Sequence, residues 1–260
     1  MANDLLAFSV DEPLRRMDEH VNAKTSIGRI PLARKRPGKQ VTTTVSRRST
    51  LFTRFALAAI SVLVFVWLSV NVVKNDTSRV DDYIRNLVHR TSQPALTEAM
   101  KVASYIGEAG NVQFLTLAVV VAFWIQGRRR DGLVLAVTIL GAGVLGNVLK
   151  LCFHRARPVP YFGLATPATF SFPSEHALMA ICFYGVLVHL ANSHVQSVRI
   201  RAGIWAVAVS MTLVIGFSRI YLGLHYPTDV VAGYAAGAAW VSAITLAERF
   251  APRFLARPST

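Results

Sequence analysis

The sequence predicts an all-α membrane protein: a six-transmembrane-helix bundle with short amphipathic helices at the interface. Three observations lead there. Of 260 residues, 53% are hydrophobic and only 16% are charged, too apolar a balance for a soluble domain of this length. The apolar residues gather into six stretches at or near the ~20 residues that a helix needs to cross a bilayer. The basic residues fall into clusters between these stretches, and their placement orients the bundle.

Residues 1–50 are polar, basic and contain proline, which predicts a flexible cytoplasmic extension that touches anionic lipid. The first apolar run begins only at Phe55 and no small-residue cleavage pattern follows it, so it reads as an anchor and not as a cleaved signal. That run, "FALAAISVLVFVWLSVNVV" at 55–73, carries no charge. Residues 74–111 follow as an outer connection. There Ile84, Leu87 and Val88 share a helical face and Pro94 breaks the pattern, predicting one or two amphipathic helices on the interface.

The second span, "VQFLTLAVVVAFWI" at 112–125, is short and borrows from residues 104–111; the third is "GLVLAVTILGAGVLGNVL" at 132–149. The fourth, "ALMAICFYGVLVHLA" at 177–191, recruits residues 174–176 to reach length. Residues 202–217 and 230–247 supply the last two, so a membrane domain at 51–248 precedes a cytoplasmic tail at 249–260. Gly141, Gly146 and the Gly233-x-x-x-Gly237 spacing predict close helix packing.

The net charge of +14 is distributed before residue 50, at Arg128–Arg130, around Arg199 and Arg201, and in the tail at Arg249, Arg253 and Arg257. Six crossings put all four clusters on one side, which the positive-inside rule makes cytoplasmic, with both termini inside. Charge spread in this way orients a multi-pass protein of a bacterial inner or plasma membrane, and argues against a nucleic-acid partner. Cys152 and Cys182 indicate neither a disulfide framework nor a metal site. No oligomeric state follows from the sequence.

The outer connections carry the polar chemistry in three short pieces. In "KLCFHRARP" six residues separate Lys150 from the Arg157-Pro158 pair. "PSEH" runs from Pro173 to His176. "SRIYLGLHYPTD" places five residues between Arg219 and His225 and three more before Asp229. Each piece alone has a structural reading: interfacial anchors for the basic residues, a helix cap for Ser174, a capping network around Pro227 for His225 and Asp229.

Together they converge on the outer ends of helices. Lys150, Arg157 and Arg219 offer ammonium and guanidinium donors suited to phosphate oxygens, and the amides that open the fourth helix add more. His176 and His225 supply two imidazoles, enough for a nucleophile and a general acid near neutral pH. Asp229, four residues after His225, is placed to hold one ring nitrogen and leave the other free. No outer carboxylate cluster of the kind that holds magnesium is evident, so no metal and no cofactor are expected.

At these residues the sequence resembles the type 2 phosphatidic acid phosphatases (PAP2), a family that includes bacterial undecaprenyl-diphosphate and lipid A phosphatases and the vanadium haloperoxidases. Its signature has three parts: lysine, six residues, arginine-proline; proline-serine-glycine-histidine; serine-arginine, five residues, histidine, three residues, aspartate. Lys150, Arg157 and Pro158 meet the first, and Ser218, Arg219, His225 and Asp229 meet the third. The middle part stands as Pro173, Ser174, Glu175 and His176, with glutamate in place of glycine. The resemblance covers residues 80–247 and implies the six-helix PAP2 fold.

It also implies roles. His225 attacks phosphorus to form a phosphohistidine, oriented by Asp229. His176 protonates the leaving oxygen and then activates water. Lys150, Arg157, Ser174 and Arg219 hold the phosphate oxygens, and no metal takes part. The implied partners are the bilayer and a phosphorylated membrane lipid, either a lipid phosphate or an isoprenyl diphosphate, hydrolysed on the periplasmic or exterior face. A lipid phosphotransferase or a non-hydrolytic binder on the same fold is the alternative. Glu175 and Arg155 are expected modulators: Glu175 either turns aside to favour the helix N-terminus or pair with Arg155, or faces the pocket and tunes substrate charge and His176. Glu108 either faces the outer pocket as well or, as an interfacial carboxylate, is structural, the second being the expectation.

Overall fold

The computed structural model describes residues 44–250, and among them every regular element is an α-helix. Residues 1–43 of the expected extension and 251–260 of the expected tail lie outside the described residues. Five helices are long and apolar enough to cross a membrane: α1 (Thr44–Val73), α5 (Arg129–Phe153), α6 (Glu175–His194), α7 (Val198–Tyr221) and α8 (Pro227–Phe250). A bent pair makes a sixth crossing if it is counted as one span. α3 (Pro94–Ile106) and α4 (Ala109–Ile125) meet that test only together and are inclined by 56°.

The bend has a local cause. Glu108 leaves helical geometry at φ −63° and ψ 138°, directly after Gly107. Gly107 stands where a Cβ would collide with the Ile215 side chain of α7, so the end of α3 closes onto α7 at a distance only glycine permits. Pro94 occupies the first turn of α3, where its missing N–H costs nothing.

The short helix α2 (Ser78–His89) precedes α3 and corrects one expectation. Ile84 and Val88 are half-buried, but Leu87 faces outward and the buried residues are Asp81 and Arg85. A carboxylate goes inside only if it finds donors. Asp81 finds the Thr228 backbone N–H at 3.0 Å and the Thr228 hydroxyl at 2.7 Å, so it caps the first turn of α8 from a different helix.

At the centre stands α6, packed by α4, α5, α7 and α8. Leu135, Ile139, Leu178, Met179 and Val186 are fully buried there. The periphery is different: α1 leans on the rest through Phe65 and Leu68, which pack with Phe153 and Phe172, and turns most of its length outward. α8 crosses the start of α6 at Gly233, where a Cβ would lie 2.5 Å from the Ser174 carbonyl oxygen. That approach lets the Ser174 N–H donate to the Asp229 carbonyl at 2.9 Å, which registers the two helix ends that matter next.

Candidate active site

Four chain segments deliver the site. Lys150 sits in the last turn of α5, after which His154 takes a left-handed conformation (φ 47°) and turns the chain into a loop carrying Arg155 and Arg157. Glu175 and His176 open α6. Arg219 lies in the last turn of α7. Its carbonyl accepts the N–H groups of both Leu224 and His225, at 2.9 and 3.2 Å, folding the connection back so that His225 comes over the helix end. Asp229 is in the first turn of α8.

His225 is 1% exposed. Its Nδ1 lies 3.4 Å from Asp229 Oδ2, and its Nε2 accepts a hydrogen bond from Arg157 Nη1 at 3.1 Å. Arginine has no acceptor, so Nε2 must present its lone pair and the ring proton belongs on Nδ1, toward the carboxylate. Burial pushes the His225 pKa down to about 4; Asp229 opposes this and the charges of Arg219 and Arg157 reinforce it. The imidazole is therefore neutral near pH 7, with the nitrogen nearest Arg157 available as a nucleophile.

Asp229 is fully buried and surrounded by donors: Ser171 Oγ at 2.6 Å, the Tyr226 N–H at 2.9 Å and Arg155 Nη1 at 2.6 Å. Arg155 also donates to Asp81 at 2.7 Å and lies over the Tyr226 ring, 4.1 Å from its centroid. Burial works against the guanidinium charge, but Asp229 and Asp81 outweigh it and hold its pKa above the ordinary value. The expected pairing of Glu175 with Arg155 is thus corrected. Arg155 bridges two buried carboxylates behind the histidine, and Glu175 takes Lys150 instead, Nζ to Oε2 at 2.5 Å.

Lys150, Arg157, Glu175, His176, Arg219 and His225 line one cavity of about 530 Å³. Arg157 spends its donors on neutral acceptors, Thr169 O at 2.6 Å, Thr169 Oγ1 at 2.9 Å and Leu224 O at 3.0 Å, besides His225. Burial holds its pKa below the ordinary guanidinium value, against the pull of Asp229 and Glu175. Arg219 donates to Ser104 Oγ, while its Nε is buried without a partner. Ser174 is fully buried, and its Oγ neither caps α6 nor finds another partner. Arg219 thus brings an unpaired donor to a cationic cavity, which fits an oxyanion ligand, whereas Ser174 is not among the residues that line it.

Sequence reasoning missed part of the wall. Lys101, Ser104 and Tyr105 line the same cavity from one face of α3, and Glu108 joins them from the break between α3 and α4. For Glu108 the pocket-facing reading holds over the structural one. The i, i+3, i+4 spacing was the available signal, hidden in an apparent connector. Asp81 and Ser171, which steady Arg155 and Asp229, carried no comparable signal. Among the described residues no group of three or more histidine, cysteine or acidic side chains is placed to hold a metal ion.

A family model described as the PAP2 superfamily matches residues 131–252. Phosphatidylglycerophosphatase B of Bacillus subtilis is 27% identical over 176 residues, 67% of this chain and 86% of that protein. An undecaprenyl-diphosphatase of Sulfolobus acidocaldarius is 30% identical over 123 residues, 45% of this chain and 55% of that protein. The crystal structure of a transmembrane PAP2-type phosphatidylglycerolphosphate phosphatase from Bacillus subtilis superposes with a TM-score of 0.69 at 26% identity, covering 76% of this chain and 98% of that one. In sequence over the site-bearing helices, and in structure across the bundle, the chain is similar to membrane phosphatases of the PAP2 type.

Proposed function

We propose that this protein is a multi-pass integral-membrane lipid phosphate phosphatase, which removes the terminal phosphate of a lipid phosphate or isoprenyl diphosphate through a phosphohistidine on His225. The observation that carries this reading is His225 itself: buried, neutral, backed by Asp229, and facing a cavity whose wall presents Lys150, Arg157 and Arg219. The names of the relatives support a lipid phosphate as the substrate class.

The geometry supports the following steps. A phosphate entering the cavity draws the Arg157 and Arg219 guanidinium groups and Ser174 Oγ to its oxygens, and Arg157, in turning to it, frees Nε2 of His225. Nε2 attacks phosphorus while the Nδ1 proton stays on the ring, held by Asp229, which stabilises the imidazolium that forms. His176, from the first turn of α6, protonates the departing lipid oxygen, then takes a proton from water as that water cleaves the phosphorus–nitrogen bond. Charge on the equatorial oxygens is met mainly by the fixed cations. Such a scaffold leaves the lipid tail in the bilayer and presents the site to the exterior.

The test is phosphate release by the detergent-purified protein, with a chelator present, from phosphatidic acid, phosphatidylglycerophosphate, undecaprenyl diphosphate and lipid A. Release from at least one lipid that persists in chelator and disappears in His225→Ala is the expected result. Folded protein that releases nothing from any of them contradicts the reading.

A further inference from the structure

We infer that Glu175 sets the affinity of the site for phosphate: it is an internal anion that holds Lys150 between turnovers and must be displaced by an incoming phosphate. The inference rests on the cavity being a phosphate site. The four donors expected for that site are not equivalent. Arg219 Nε and Ser174 Oγ are buried without partners, and Arg157 is occupied by uncharged acceptors. Lys150 alone meets a carboxylate, at 2.5 Å, with its own side chain 5% exposed and that of Glu175 23% exposed.

A buried ammonium demands a counter-charge, and the glutamate supplies one from the first residue of α6, where its charge also suits the helix N-terminus. Glycine at this place would leave the ammonium open. When a phosphate arrives it competes for the same three N–H donors, and two anions crowded on one ammonium repel each other, so the carboxylate has to swing out.

That displacement penalises every phosphate equally. A lipid phosphate offsets it with the binding of its tail, which free inorganic phosphate lacks. Glu175 therefore weakens capture of soluble phosphate and helps the product leave, while lipid-borne phosphate still enters. Glu108, which also lines the cavity, makes no ion pair with Lys150 and does not share this role.

The experiment uses the full-length protein in detergent and inorganic phosphate as the probe. Its dissociation constant is measured by calorimetry, and its inhibition constant against lipid turnover, in the wild type, Glu175→Gln, Glu175→Gly, Lys150→Met and the Lys150→Met/Glu175→Gln pair. Removing the competing charge is expected to tighten inorganic phosphate about tenfold or more, the scale of one hydrogen bond to a charged group. KM for the lipid should fall by a comparable factor where it reports binding, because the displaced contact is the same. The gain should vanish in the Lys150→Met background, because the coupling runs through that ammonium. Unchanged phosphate affinity in Glu175→Gln and Glu175→Gly, or a gain that survives Lys150→Met, overturns the inference while leaving a lipid-hydrolysing wild type intact. Absence of phosphate binding and of lipid turnover in every variant removes the phosphate site itself, and the inference with it.

Discussion

His225 carries the heaviest demands of any side chain here, being buried, uncharged and hydrogen-bonded at both nitrogens. Its pKa of about 4 sets a sign for the pH dependence. Above that value the ring is neutral and nucleophilic; below it Nε2 is protonated and attack stops. The acid limb of kcat/KM assigned to His225 should therefore lie near pH 4, well below the ~6.5 of an unperturbed histidine. A pH profile with Asp229→Asn alongside checks this: without the carboxylate that favours the charged ring the limb moves lower still, and kcat falls about a thousandfold or more as the ring loses its held tautomer. The residues of this site were legible because spacing alone places lysine, arginine, histidine and aspartate at helix ends. Where side chains pair was not legible, as Arg155 demonstrates. Its partner Asp81 lies 74 positions away on α2, and only the packing of α2 against α8 brings them within 2.7 Å.

Among the elements, α2 does the least obvious work. It looks like an interfacial connector, yet its Asp81 caps α8 and pins Arg155, which in turn holds Asp229. Replacing Asp81 with alanine strips Arg155 of one of two anionic partners and leaves the α8 amide without its cap. The expected cost is about 3–5 kcal/mol, as for other broken buried pairs. Thermal unfolding in detergent measures it, and kcat should fall with it because Asp229 loses its brace. The spans themselves were readable from apolar length. The break between α3 and α4 was not, because it depends on contact with Ile215 more than a hundred residues later. Nor was the polar face that α3 turns to the cavity, since a helix that lines a site has the same periodicity as one that lies on a membrane.

Over the whole molecule, the alternation of helices puts the ends of α5 and α7 and the starts of α6 and α8 on one side, and the phosphate-site residues all come from that side. The Arg128–Asp131 and Arg130–Glu248 pairs belong to the opposite helix ends. Basic clusters on that opposite side are the orientation signal the sequence provides, so a reporter fused after Thr260 should read cytoplasmic; an exterior reading would turn the site inward. Composition and charge spacing made this architecture legible at low resolution. The asymmetry of packing was not legible: α6 buries about half of its span and α1 hardly any, although α1 is the more apolar. Hydropathy reports preference for lipid, and a central helix that packs on protein has no need of it.

The most direct measurement is to trap the phosphoenzyme. Protein mixed with a lipid phosphate labelled at the terminal phosphorus and quenched in alkali, where phosphohistidine survives, should carry label that acid releases, in the wild type but not in His225→Ala. Label on His225 is the predicted result; a labelled His225→Ala protein, or turnover undiminished in that variant, would contradict the histidine mechanism.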